Sequence, residues 1–177
     1  MRQRISPKNA ARQVLASYPR HISNLSVDIK AIIKAHGIEI DSVVLPDSIS
    51  GLIHIDEKDN ARIVINAEHH RNRQRFTMAH ELGHYVLHRN KGIHIDKKSF
   101  SRNALSQSGL DPIEVQANQF AAELLMPREL IEKDLIGKED LIDLEEDIIY
   151  KLGKRLKVST AAMSIRLQSL GYLQQKF

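Results

Sequence analysis

The chain has 177 residues, a formal net charge of +4 and no cysteine. Disulfides and thiolate metal sites are therefore excluded, so a bound zinc would rest on histidine and carboxylate oxygen, a set more usual in catalytic than structural sites. The length allows one sizeable core, the modest charge permits nucleic-acid attraction without requiring it, and no apolar run suits a membrane span or a signal peptide after Met1-Arg2-Gln3-Arg4, so the cytoplasm is the expected compartment.

In chain order, Ser6-Pro7-Lys8 pairs an N-cap with proline at the first helical position and predicts a helix to Tyr18, stopped by Pro19. A second helix begins at Ser26, with Val27, Ile29, Ile32 and Ile33 as its apolar positions and Gly37 after its last turn. Three strands follow. Ile38 to Leu45 is closed by Pro46, and two β-branched runs, Leu52 to Asp56 and Ala61 to Asn66, are joined as a hairpin through Glu57-Lys58-Asp59-Asn60. The next helix starts around Arg73 and runs to His88. Because the hairpin leads into it through a short basic connector, Ile63-Val64-Ile65 is expected beside the helix as an edge strand able to pair with an extended substrate.

After His88 comes Arg89-Asn90-Lys91-Gly92, a short Ile93-His94-Ile95-Asp96 and a polar run over 97–109, together a long loop whose composition does not decide between lid and disorder. Asp111-Pro112-Ile113-Glu114 opens another helix, with Ile113, Ala117, Phe120, Ala121, Leu124 and Leu125 on its core face and Pro127 at its end. The remainder reads as helical: Arg128 to Ile136, then Glu139 to Lys157 with acidic and basic ends in the macrodipole's sense, and a last helix from Ser159 to near Gly171. A division follows into a core, 1–127, and a helical C-terminal subdomain, 128–177, packed on it.

The chemistry concentrates in the helix containing His80-Glu81-Leu82-Gly83-His84. Residues four apart on a helix have Cβ atoms roughly 5–6 Å apart, so His80 and His84 can reach one ion. Glu81 is about 100° round the helix, where a general base for an attacking water belongs. Met78, Leu82, Val86 and Leu87 continue an apolar stripe that turns the histidines inward. His88 is about 12 Å of rise beyond His80, too far to share the ion, and reads as a helix-end or supporting residue. The metzincin pattern is absent, since Leu87 and Asn90 stand where it has glycine and histidine. For a third ligand, His94 or Asp96 could reach back from the loop, or Glu114 could come from the following helix. Spacing leaves Glu114 equally suited to capping its own helix. Tyr85, one turn beyond Glu81, is a candidate oxyanion donor, although an aromatic there equally fits the core.

The strings Arg75-Phe76-Thr77-Met78-Ala79-His80-Glu81-Leu82-Gly83-His84 and Glu114-Val115-Gln116-Ala117-Asn118-Gln119-Phe120-Ala121-Ala122-Glu123-Leu124-Leu125-Met126-Pro127 resemble the two hallmark blocks of the ImmA/IrrE metallopeptidases. The resemblance extends from about Val27, through Ile63-Val64-Ile65-Asn66, to Arg166-Leu167. It implies an α+β, thermolysin-like fold: a small sheet of about three strands on a zincin-type helix, then a helical part with a helix-turn-helix-like tail. It also implies Zn²⁺ on His80, His84 and Glu114, with Glu81 as catalytic base. Asn118 departs from the aspartate of the wider Glu-x-x-x-Asp pattern; its amide can accept a histidine hydrogen bond without adding carboxylate charge. By the same resemblance the activity is site-specific cleavage of a helix-turn-helix transcriptional repressor, derepressing a mobile element or stress response. Two alternatives stand beside it. One is a protease-type toxin of a toxin–antitoxin pair. The other is a DNA-binding or regulatory module built on Leu152 to Leu167, against which the acidic run from Glu139 to Asp147 would repel phosphate.

Overall fold

The computed structural model describes residues 5–22, 26–97, 111–135 and 146–173. It is α+β, with a four-stranded mixed sheet. Helix α1 (Pro7–Ser17) has the expected Ser6 N-cap, and a 3-10 turn over Pro19–His21 follows it. Helix α2 (Ile29–Ala35) starts later than Ser26 suggested, because Asp28 is its N-cap, Oδ1 accepting from Ala31 N–H at 3.1 Å, while Val27 bridges back to Ile22. Strands β1 (Glu39–Val43), β2 (Ile49–Ile55) and β3 (Ala61–Asn66) precede helix α3 (Arg71–Leu87). After α3 come β4 (Gly92–Lys97), α4 (Pro112–Leu125) and α5 (Arg128–Leu135), then α6 (Glu146–Leu156) and α7 (Thr160–Ser169). The expected helix start at Glu139 and nearly all of the expected loop over 97–109 lie outside the described residues.

Two expectations are corrected by the sheet, whose order is β1-β3-β2-β4. First, it has four strands rather than three. The stretch read as loop pairs antiparallel with β2, Ile95 opposite Leu52 and His94 opposite Ile53. Its alternation runs against the usual sense. Ile93 and Ile95 are exposed while Asp96 is buried, so the polar residues face the helix and the apolar ones face solvent. Second, β3 is not an edge. It pairs parallel with β1 and antiparallel with β2, so Ile63-Val64-Ile65 has its backbone groups engaged on both sides. Among the described residues the edges are β1 and β4.

Helix α3 lies between the sheet and α4, and both approaches are closest at glycine. A Cβ on Gly51 of β2 would come within 2.6 Å of Thr77 Cγ2 and 2.7 Å of the Val64 carbonyl. One on Gly83 would meet Phe120 Cδ1 at 3.1 Å and Ala117 Cα at 3.2 Å. The core filling these interfaces includes Ile53, Ile63, Ile65, Met78, Leu82, Phe120 and Leu124, all buried. The β3–α3 connection is fixed by two side-chain amides, one buried and one half-buried: Asn66 Nδ2 donates to the Leu45 and Ile49 carbonyls at 3.0 and 3.1 Å, and Gln74 Nε2 donates to those of Ala67 and His69, both at 2.9 Å. Amides satisfied in this way make the turn specific, and with it the position from which α3 departs. No helix among the described residues is long and apolar enough to cross a membrane.

Candidate metal centre

Because α3 is regular through the motif, His80 and His84 stand one turn apart, 2% and 4% exposed, with their Nε2 atoms 2.9 Å from each other. Glu114, in the first turn of α4, reaches the same point: Oε2 is 3.1 Å from His80 Nε2 and Oε1 is 3.4 Å from His84 Nε2. It is free to do so because Asp111 takes the capping position, accepting from Ile113 N–H at 3.0 Å. Ligands held about 2.1 Å from a tetrahedral ion lie roughly 3.4 Å from one another, so the separations suit a shared ion. The donor chemistry agrees, two imidazole nitrogens and one carboxylate oxygen within 4.8 Å of one another. These residues fit a divalent metal.

The surroundings tune the donors. Asn118, one turn along α4 from Glu114, accepts from His80 Nδ1–H at 3.0 Å, which leaves the Nε2 lone pair directed at the centre. Burial pushes His84 down to about 4; the Glu114 hydrogen bond opposes this while His80 and His94 reinforce it, and the neutral ring is the form that binds a metal. At Glu114 burial acts upward, but the adjoining rings of His80, His84 and His94 outweigh it and hold the carboxyl well below the usual range.

Glu81 is fully buried, and neither carboxylate oxygen has a hydrogen-bond partner. Burial, then the charges of Asp96 and Glu114, push its carboxyl well above the ordinary range. A carboxylate left unpaired inside a protein is costly, and such groups concentrate where proton transfer is needed. His88 caps the C-terminus of α3, its ring 5.6 Å from that of His84. Tyr85 packs edge-on against His36 at 6.4 Å and lies under the Arg89 guanidinium at 5.1 Å.

Two further residues belong to the centre, and both come from β4. His94 Nε2 is 2.7 Å from Glu114 Oε1 and its ring centroid is 3.9 Å from that of His84. Asp96, 4% exposed, has a carboxylate oxygen within 4.8 Å of both His80 and Glu81 ligand atoms. In the sequence both are rivals for the third-ligand position on an expected loop; in the structure they share strand β4. The usable signal was the two-residue alternation of Ile93-His94-Ile95-Asp96, which puts both polar side chains on one face.

A family model described as the IrrE N-terminal-like domain, Peptidase M78, matches residues 33–168, and the chain belongs to that ImmA/IrrE family. Membership supports a metallopeptidase-type function. No curated protein matches the chain.

Proposed function

We propose that the protein is a zinc-dependent metalloendopeptidase that cuts a helix-turn-helix transcriptional repressor at one site. The observation that carries the catalytic part is the convergence of the buried His80 and His84 with the half-buried Glu114, beside the unpartnered carboxylate of Glu81. Zinc bound by those three residues would supply a Lewis acid that polarises the scissile carbonyl. Asn118 holds the His80 ring in the required tautomer, and His94 steadies Glu114 through Oε1. Glu81 takes a proton from the attacking water on one carboxylate oxygen and delivers it to the leaving amine nitrogen.

Substrate strand pairing moves from β3 to β4. As an edge strand among the described residues, β4 has one side of its backbone without a strand partner there, and its His94 and Asp96 lie at the centre, so an extended peptide added along it would cross the catalytic residues. That geometry favours exposed linkers and termini over folded segments. Helices α6 and α7 would dock the repressor rather than DNA. Loading the protein with zinc, incubating it with a repressor encoded beside its gene and mapping products by mass spectrometry tests the reading. A single cut in a linker or terminus is expected. An intact repressor alongside casein digested at many sites would favour a general peptidase or toxin, and tight, salt-sensitive duplex binding without cleavage would favour the DNA-binding module.

A further inference from the structure

A cavity of about 390 Å³ opens on a different side of α3 from the metal centre, lined by Arg20, His21, Ser26, Asp28, Arg75 and Lys157 among others. Arg75 precedes His80 by five positions, which places it about 140° round the helix. Three separate parts of the chain meet here: the segment ahead of α2, the start of α3 and the turn between α6 and α7. Arg75 joins them, its Nη2 donating to the Val27 carbonyl at 2.9 Å and its Nε to that of Lys157 at 3.3 Å.

The charge lining this cavity is unbalanced. Arg20, Arg75 and Lys157 are cations with no ion pair among the described residues. Against them stands one carboxylate, Asp28, whose Oδ1 is already engaged in capping α2. Arg75 is half-buried and its two bonded nitrogens face neutral carbonyls, so its charge is desolvated without a hydrogen-bonded counter-ion. Burial accordingly lowers its proton affinity, with Asp28 opposing. Concave surfaces of one sign concentrate oppositely charged solutes, and planar guanidinium groups match the oxygens of phosphate.

We propose that the cavity between Arg20, Arg75 and Lys157 binds a small phosphate-bearing ligand and joins the N-terminal segment, the metal-bearing helix and the α6–α7 turn. At about 390 Å³, it lies near the lower end of the ~300–1,000 Å³ range of small-ligand sites. A concave site of this size suits a phosphomonoester or nucleotide better than the convex backbone of a duplex. The ligand would tie α7 to α3 without touching the catalytic residues.

Calorimetric titration of the full chain with inorganic phosphate, at ionic strength matched with chloride, tests the proposal. Saturable binding is expected, weakened at least about tenfold when Arg20→Ala and Lys157→Ala are combined, as loss of two charge-assisted contacts implies. Both residues are exposed, so the double variant should fold. A nucleoside monophosphate binding more tightly than phosphate, with the same loss in the variant, would extend the ligand class. Phosphate binding that is unchanged in the variant would place the anion elsewhere, the metal centre included, and overturn the proposal. So would duplex DNA binding that the variant abolishes while phosphate alone gives no saturable heat.

Discussion

Glu114 stands three positions after Asp111, where its carboxylate can either cap its own helix or reach across to α3. Spacing cannot separate those uses. In the structure Asp111 satisfies the Ile113 N–H, and Glu114 lies against His80, His84 and His94. Glu114→Ala should therefore lower metal occupancy after dialysis against a weak chelator far more than His94→Ala or Asp96→Ala, because it removes a ligand and they remove neighbours. Equal losses in all three would remove Glu114 from the ligand set. His80, Glu81 and His84 were legible in the sequence because one helical period fixes their mutual geometry. Asp96 was legible only as a rival third ligand; its place beside Glu81 was not, since that depends on the pairing of β4 with β2.

Among the elements, β4 and α4 carry the parts of the centre that α3 lacks. The strand escaped the sequence because its buried face is polar: His94 and Asp96 point toward α3, whereas binary patterning would put Ile93 and Ile95 there. Such a reversal is expected where function overrides the core rule. Helix α4 was legible in its cap, length and apolar face, but its distance from α3 was not, because Gly83 sets it by lacking a side chain. Gly83→Val should overpack the contact with Phe120 and Ala117, cost about 1–3 kcal/mol in denaturant titrations and reduce metal affinity as Glu114 and Asn118 move away with α4. A variant with that loss of stability and unchanged metal affinity would show that the two helices need not be this close.

At the scale of the whole molecule, α1, α4 and α7 are joined by one buried carboxylate. Glu123 is 1% exposed and accepts from Arg166 Nη2 at 2.6 Å and Arg12 Nε at 2.8 Å, while Arg166 Nε donates to the Met126 carbonyl at 3.0 Å. Removing one partner of a buried pair strands the other, so Arg166→Met should destabilise the protein by about 3–5 kcal/mol. Burial acts to raise the Glu123 carboxyl, but Arg166 and Arg12 hold it below its ordinary value. The pair's contribution is thus complete above the unfolded carboxylate value of about 4.3 and is lost as pH falls through the lower folded value. Unfolding free energies measured across that window should show the difference between parent and Arg166→Met narrowing toward acid; a constant difference would mean that Glu123 is not the group responsible. These ties fix α4, which carries Glu114, to α1 and α7, while Glu81 on α3 is a buried carboxylate with neither oxygen hydrogen-bonded. The most direct measurement is peptide cleavage by Glu81→Gln loaded to the parent's zinc content. Removing the proton acceptor while sparing every ligand should lower the rate by a factor of about 10² to 10⁴ with metal and fold retained; cleavage near the parent's rate at equal occupancy would contradict the role of Glu81.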